Sequence, residues 1–492
     1  MSTRSPNLAA LLSFIFPGLG QAYAGHRRRA LLLALPMLAL IVLVPVLLAG
    51  GTGRLLDLLI RIESLVALLL LNLAFFAYRL AAIFDAYKLA QAEAGPRSRR
   101  GSPVLLAVLV AVSLVLHGVP EYLGLRAALV ETRPPISVIP SPSFEPEPTD
   151  DPTPTAAPTP TPVLTPTPAP TPTLRPGVTP PRPTPTPRVR ECPTINSAWA
   201  ADGRLNLLLL GTDEGPGRFS VRTDTIILLS VELETCRAAL FGFPRNMTMV
   251  PLPGESAAAY PGGRFPEFLF ALWRRAMEQP EHFPGSDEDR GWRAVVGAVQ
   301  QMAGVPIDGM VAVNLNGFVQ LVDAIGGLWI DIPRRLRDDN YPREDGSGRI
   351  SIDFRRGCQL LEGWEALAYA RSRQQDSDYQ RMGRQQLVLT SVRRQADPLA
   401  LLPHINELFD IASENLWLYV DRNDIPDFAR VAAAVDPDRM QRMSFTPPRY
   451  TSPLDDADLR SIRSSVRNVF NNPDPAPTPR PTGSPRPGCP PN

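Results

Sequence analysis

The chain has 492 residues, enough for two to four units at ~100–200 residues per domain. Lys plus Arg number 50 and Asp plus Glu 49, a formal net charge of +1, which argues against a protein built to coat a polyanion. Proline, at 56 residues, is about twice its usual share of ~5%, so a single compact globule is excluded and an unfolded stretch is expected. Four cysteines are too few for a disulfide scaffold. Four histidines, with no Cys/His cluster at ligand spacing, argue against a zinc enzyme.

Residues 1–126 are strongly apolar and read as a multi-span membrane module. Three runs, residues 30–48, 58–83 and 104–123, approach or exceed the ~20 residues that cross a bilayer core as helix. Residues 8–24 are short and broken by Pro17, Gly18 and Gly20, which predicts a re-entrant or interfacial segment, with a fourth span as the alternative. Arg27, Arg28 and Arg29 are followed by further spans rather than by a cleavage site, so a signal peptide is not expected. Those arginines precede the first span, and Lys88, Arg97, Arg99 and Arg100 lie between the second and third, whereas the loop around residues 50–56 carries only Arg54. Basic loops stay cytoplasmic, so everything after Arg126 is expected outside the cytoplasmic membrane. Phe16-Pro17-Gly18-Leu19-Gly20-Gln21 reads as a tight turn rather than a site. Arg61 and Glu63 are placed at the interface.

Residues 127–199 form a linker dominated by Pro and Thr. The Thr-Pro repeats within it, over residues 133–190, cannot bury a core and favour extended polyproline II, which at ~3.1 Å per residue reaches on the order of 150 Å. Residues 471–492 are Pro-rich again and are expected to be a disordered tail. Cys192, Cys236, Cys358 and Cys489 all fall on the outer side and allow three pairings. Cys236 with Cys358 is preferred among them because both lie within the folded domain.

Residues 200–470 have globular composition. Residues 205–210, 224–231, 238–243, 310–313 and 328–332 read as strands, and residues 292–303, 318–325, 362–371 and 383–395 as helices. The alternation predicts a layered α/β domain. Polar residues gather at the strand ends: Asp213 after the first strand, Arg222 and Asp224 opening the second, Arg245 after the third. A further group is Arg371, Arg373, Asp378, Arg381, Arg384 and Gln385. Ligands of open α/β sheets commonly bind beyond the carboxyl ends of the strands. Guanidinium forks suit phosphate oxygens, and Mg²⁺ takes one or two carboxylates plus substrate phosphates. Asp and Arg converging on one cleft therefore point to a metal–pyrophosphate site.

The motifs Asn206-Leu207-Leu208-Leu209-Leu210-Gly211-Thr212-Asp213, Arg222-Thr223-Asp224-Thr225, Phe243-Pro244-Arg245, Val322-Asp323-Ala324-Ile325-Gly326-Gly327, Leu361-Glu362-Gly363-Trp364, Tyr369-Ala370-Arg371-Ser372-Arg373 and Asp378-Tyr379-Gln380-Arg381 to Gln386 occur in this order. Together they resemble the LytR-CpsA-Psr family of bacterial cell-envelope proteins over residues 205–395. The resemblance implies an extracytoplasmic α/β/α domain with a central mixed sheet. It also implies a membrane-anchored, Mg²⁺-dependent phosphotransferase that moves a glycopolymer from a polyprenyl-pyrophosphate carrier to peptidoglycan or another wall acceptor. By motif, Asp213 and Asp224 are the metal-associated carboxylates, and Arg222, Arg245, Arg371 and Arg373 bind the pyrophosphate. Asp378, Arg381 and Gln385 complete the phosphate pocket. Asp213 or Asp224 is assigned to assist deprotonation of the acceptor. Residues 265–273 and 295–302 are candidates for the lipid chain's pocket. Asp323, Gly326 and Gly327 are read as structural.

The chain departs from the family pattern in carrying Asn246 where Asp is usual, in residues 254–291, and in its multi-span module. The alternatives are a polyprenyl-pyrophosphate hydrolase using water as acceptor, and a non-catalytic lipid- or glycan-binding envelope protein. Nucleic-acid binding is not expected, since no helix-turn-helix or basic stripe is present.

Overall fold

A computed structural model describes residues 4–48, 62–93, 101–129, 132, 192–214, 221–343, 347–375, 377–395 and 404–471. Of the expected linker, residues 130, 131 and 133–191 lie outside them, as do the tail after Asn471, Arg54, Arg61, the arginines at 97, 99 and 100, and Cys489; residues 127–129 continue a long helix, and residues 192–199 lead into the folded domain.

The N-terminal segment is a helix, Pro6–Ile15, followed after a break by a short one, Leu19–Tyr23. Proline at the first helical position and a Ser5 cap on the Leu8 amide start the first helix. Gly18, at φ +104°, turns the chain between the two. Gly20 lets the helices touch: a Cβ there would lie 2.1 Å from the Ala9 carbonyl oxygen. Gln21 is buried, accepts from Ser13 Oγ at 2.8 Å and donates to the Ala82 carbonyl at 2.8 Å. The Phe-Pro-Gly-Leu-Gly-Gln run is thus a packing device that fastens this hairpin to a long helix.

Three longer helices follow, Arg27–Leu48, Ile62–Glu93 and Pro103–Leu129. Two stretches, Glu63–Glu93 and Pro103–Arg126, are long and apolar enough to cross a membrane. With the domain described below they point to a membrane anchor. The expected first span falls inside Arg27–Leu48, which carries Pro36 and Pro45. The second helix continues ten residues beyond the expected end at Ile83, because Asp85, Lys88 and Glu93 sit on helical turns that leave the apolar run. Asn72 ties the two spans together by donating to the His117 carbonyl and the Glu121 carboxylate, both at 2.9 Å.

The second part of the chain is an α/β domain around a six-stranded mixed sheet. Its strands are β1 (Arg204–Thr212), β2 (Thr223–Glu232), β3 (Ala238–Gly242), β6 (Gly309–Val313), β11 (Leu416–Tyr419) and β12 (Gln441–Ser444), in the order β11-β6-β1-β2-β3-β12. β1–β2, β2–β3 and β6–β11 pair antiparallel, and β1–β6 and β3–β12 parallel. Alternation along β1 sends Leu208 and Leu210 to a core shared with Val295 and Val299 of helix Arg290–Ala303 and Ile462 and Val466 of helix Asp456–Arg467. Leu205, Val231 and Ala238 face the opposite layer, against Val431 and Val435 at helix Ile425–Ala434. Helix Asp378–Gln395 covers that same layer. A Cβ on Gly242 would sit 2.7 Å from Met382 Cε, and Gln386 Nε2 donates to the Met443 carbonyl at 3.1 Å.

Beside the sheet stands a smaller lobe. β7 (Leu328–Ile332) pairs with β10 (Gly357–Leu361), and β8 (Leu336–Pro342) with β9 (Arg349–Phe354). Ile330, Phe354 and Tyr369 share its core with Val388 of helix Asp378–Gln395, so this helix joins the two cores. A minor pair, β4 (Val250–Pro251) and β5 (Arg264–Phe265), edges the segment from 254 to 291.

The preferred Cys236–Cys358 pairing is wrong. Cys236 is bonded to Cys192, with Cα atoms 5.1 Å apart. The physical reason is position: Cys236 lies in the turn between β2 and β3 of the main sheet, whereas Cys358 lies on β10 of the small lobe opposite Asp331. Cys358 is disulfide-bonded as well.

Candidate functional site

The site grows from the end of the β1–β2 pair. The Asp213 amide donates to the Arg222 carbonyl at 3.1 Å, and the Arg222 amide returns a bond to Asp213 Oδ1 at 2.9 Å. The register then jumps. Gly211 pairs with Thr225 but Thr212 pairs with Thr223, leaving Asp224 as the extra residue of a bulge. A bulge re-aims its side chain, and here the Asp224 carboxylate meets the Arg245 guanidinium, delivered from β3 through Pro244.

Asp378 opens helix Asp378–Gln395, where a carboxylate complements the helix dipole. Three arginines surround it. Arg381 Nη2 is 3.2 Å from Oδ2, and Arg373 Nη1 and Arg245 Nε lie 3.5 and 3.8 Å from Oδ1. Arg381 also donates to the Asp224 backbone carbonyl at 3.3 Å. Its side chain is only 3% exposed. Burial pushes its pKa down to about 10; Asp378 and Asp224 hold it up, while Arg245 and Arg373 oppose them. It remains a cation at neutral pH.

Arg222 joins the cluster through an aromatic ring. The guanidiniums of Arg222 and Arg245 stand 5.9 and 5.2 Å from the centroid of Phe270, whose amide donates to the Arg245 carbonyl at 2.9 Å. Exposed Phe268 stacks on Phe270 at 5.5 Å. The rest of the stretch 265–273, and helix positions 295–302, behave differently from the expected lipid pocket. Phe265, Leu269, Leu272, Val295, Val299 and Met302 are fully buried in the main core.

Arg371 is half-buried at the end of helix Gly363–Arg371, and Arg373 is half-exposed two residues on. Between them Ser372 Oγ donates to Asp338 Oδ2 on β8 at 2.7 Å. Arg384 clamps the same corner through Nε to the Tyr369 carbonyl at 2.8 Å and Nη2 to the Ser372 carbonyl. Gln385 is buried one turn beyond Arg381 on the same helix. Asn246, where the resemblance leads one to expect Asp, accepts from Ser452 Oγ through its backbone carbonyl at 3.2 Å.

Three functional candidates lay outside the sequence reading. Asp338 holds the arginine corner from a hairpin that carries no motif. Phe270 was visible only as part of an apolar stretch. Glu214, next to Asp213, has one carboxylate oxygen, Oε2, buried and without a hydrogen-bond partner among the described residues. Burial first and Asp213 second push its pKa up.

Arg222, Arg245, Arg373 and Arg381 thus gather with Asp213, Asp224 and Asp378 at one end of the sheet, a cluster with more arginine than aspartate and so of a kind that suits phosphate oxygens, while Arg371 ends helix Gly363–Arg371 two residues before Arg373. Among the described residues no three His, Cys, Asp or Glu side chains group closely enough to cage a metal alone. The carboxylates of Asp213 and Asp224 are hard oxygen donors of the kind Mg²⁺ accepts, in a number that leaves the remaining positions to phosphate and water.

The LytR_cpsA_psr family model matches residues 184–457. The polyisoprenyl-teichoic acid–peptidoglycan teichoic acid transferase TagU of Oceanobacillus iheyensis is 28% identical over 236 residues, 47% of this chain and 63% of the relative. The transferase TagV of Bacillus subtilis is 28% identical over 197 residues, 40% of this chain and 44% of its own. The chain thus spans less than two thirds of the length of either relative. Among solved structures, B. subtilis TagV matches 55% of this chain and 97% of its own at 21% identity and a TM-score of 0.40. TagT bound to LIIa-WTA matches 58% and 98% at 18% identity and a TM-score of 0.39. With 274 of its 492 residues matched by one family model, the chain belongs to the LytR_cpsA_psr family.

Proposed function

We propose that the chain is a membrane-anchored phosphotransferase. It takes a glycopolymer from a polyprenyl-pyrophosphate carrier and joins it to peptidoglycan or another wall acceptor through a phosphodiester. The observation that carries this reading is the Asp224–Arg245–Asp378–Arg381 cluster at the end of the sheet. Two relatives named as teichoic acid transferases give it a precedent. The domain works outside the cytoplasmic membrane, on the side set by the basic loops.

Arg222, Arg245, Arg371 and Arg373 hold the pyrophosphate oxygens, and their charge offsets what builds up on the leaving polyprenyl phosphate. Arg381 is the buried keystone. It orients Asp378 and, through its bond to the Asp224 carbonyl, fixes the bulge that aims Asp224. Gln385 supports the same wall from the helix. Phe268 and Phe270 give the carrier's first isoprenoid carbons an apolar surface beside the arginines. Asp213 and Asp224 would hold Mg²⁺, which supplies charge neutralisation of the phosphates.

The test uses the full-length protein in detergent. It is given a polyprenyl-pyrophosphate-linked disaccharide with a muramic-acid-containing peptidoglycan fragment, with and without Mg²⁺. Release of polyprenyl phosphate with a new phosphodiester on the fragment is the expected result. Asp224→Ala lowers the rate by about 10²-fold or more, the scale on which a positioned electrostatic group acts. Release indifferent to the fragment would replace the transferase with a hydrolase.

A further inference from the structure

Cys358 is disulfide-bonded, and a count points to its partner. The chain has four cysteines, at 192, 236, 358 and 489, and Cys192 is bonded to Cys236. No described cysteine is free. Among these four, Cys489 is the thiol that remains for Cys358. Cys489 lies outside the described residues, eighteen positions beyond Asn471. At ~3.1 Å per residue, that much proline-rich chain spans about 55 Å, enough to reach any face of a domain with a radius of gyration of ~18 Å.

The surface around Cys358 is a second observation. On β10, Gln359 and Leu361 pair with Ile330 and Leu328 of β7, whose side chains are buried in the small lobe's core. Cys358 and Leu360 pair with Asp331 and Trp329, so alternation turns these four to the opposite face of the ribbon. Leu360 is 45% exposed there, and Trp364, at the start of helix Gly363–Arg371, is 42% exposed. In the described part of the α/β domain, Phe268 in the cleft is the one other large apolar side chain so open. Two such side chains within six residues of a bonded cysteine mark a surface that the bonded segment can cover.

We propose that the outer face of the β7–β10 ribbon is the docking surface of the chain's own proline-rich segment, residues 472–489. The segment lies across Leu360 and Trp364 and is fastened by a Cys358–Cys489 disulfide. The bond forms as the two thiols pass two protons and two electrons to a disulfide oxidant of the oxidising compartment, which becomes a dithiol. Prolines at 473, 475, 477, 479, 481, 485 and 487 cannot donate to β10, so the segment does not dock as a further strand. Polyproline II is the form open to it, and that form docks on aromatic and aliphatic side chains at little cost in chain entropy. The tether makes docking intramolecular, at an effective concentration on the order of millimolar. The surface belongs to the lobe whose helix Gly363–Arg371 ends beside Arg373, so the strap holds an element that carries site arginines.

The experiment uses the full-length protein, purified oxidised in detergent. Tryptic digestion without reductant is expected to give peptide 357–371 linked to peptide 468–492, because the arginines at 480 and 486 precede proline and are not cut. Hydroxyl-radical labelling of the intact chain then reads the face. It is compared with a chain ended at Asn471 that carries Cys358→Ser, and with the full chain carrying Cys358→Ser and Cys489→Ser. Labelling of Leu360 and Trp364 should rise about twofold or more in both variants as the docked segment leaves. Phe268 should label as in wild type, which reports a folded domain. Should the shortened chain misfold, the double-serine chain decides alone. A free Cys358, or Cys358 bonded to Cys358 of a second copy, overturns the proposal. Unchanged labelling of Leu360 and Trp364 in the variant that decides overturns it too, because the face is then open in wild type as well. None of these readouts needs turnover, so their failure is separate from failure of the transferase reading.

Discussion

Asp308 shows how one residue can set a pH response away from the cleft. It stands before β6, where its Oδ2 accepts the Asn206 amide at 2.7 Å and its own amide donates to the Asn206 carbonyl at 2.8 Å. Burial, opposed by the Asn206 bond and assisted by Asp202 and Asp424, raises its pKa to about 7. In the unfolded chain it returns to ~4. The folded pKa is the higher, so the stability tied to the protonated form is fully present below ~pH 4 and is lost as pH rises through about 7. Asp308→Asn keeps an oxygen for the Asn206 amide and removes the charge. It is expected to raise stability at pH 8 by on the order of 2–4 kcal/mol and to flatten the fall between pH 5 and 8. Urea unfolding midpoints at the two pH values check this, and an unchanged slope would show that Asp308 does not titrate in that window. Nothing in the sequence announces Asp308, because the reading sought charge at strand ends facing a cleft and this carboxylate lies at the opposite end of the sheet. Asp213, Arg222, Asp224 and Arg245 were legible because they abut apolar runs whose strand character is plain.

At the scale of elements, the legible parts are those with one dominant signal. β7 falls where the apolar run Leu328–Ile332 places it, and helix Arg290–Ala303 begins two residues before its expected start. Helix Asp378–Gln395 begins five residues before the expected Gly383, because its first turn is polar and reads as site rather than helix. The β8–β9 hairpin was missed. Its sequence Leu336–Pro342 alternates buried Leu336, Asp338 and Tyr341 with charged residues, a pattern too polar for an apolar-run search. That hairpin matters because Asp338 fixes Ser372 between the two site arginines. Ser372→Ala removes a buried hydroxyl-to-carboxylate bond, worth about 1–3 kcal/mol. If the corner loosens by half of that, the donor's KM rises roughly three- to tenfold with kcat changed less, since 1.4 kcal/mol is a factor of ten. Steady-state kinetics on Ser372→Ala, and on Ser372→Thr as the hydroxyl-keeping control, decide it. Equal loss in both variants would place the cause in packing rather than in the bond.

For the whole molecule, the Cys192–Cys236 bond joins the point where the chain enters the domain to the β2–β3 turn, closing a separation of 44 residues. The sequence left three pairings open, since composition says nothing of which turn lies beside the entering strand; only the packed sheet decides it. A loop of this length is worth about 2–4 kcal/mol in the chain-entropy account, so Cys192→Ser with Cys236→Ser should lower the unfolding free energy obtained from urea titration by that order. The bond also bears on topology. Disulfides persist in oxidising compartments, and the charge of the N-terminal loops independently favours the proposed placement of the domain outside the membrane. Both arguments meet in one measurement on intact cells. A membrane-impermeant phosphine followed by a membrane-impermeant maleimide should label Cys192 and Cys236 without lysis, whereas the maleimide alone should not. A cysteine introduced at Lys88, near the end of helix Ile62–Glu93 that the proposed orientation turns to the cytoplasm, should react only after lysis. Labelling of the domain's thiols only after lysis would invert the topology, and with it the access of the arginine cleft to any acceptor in the wall.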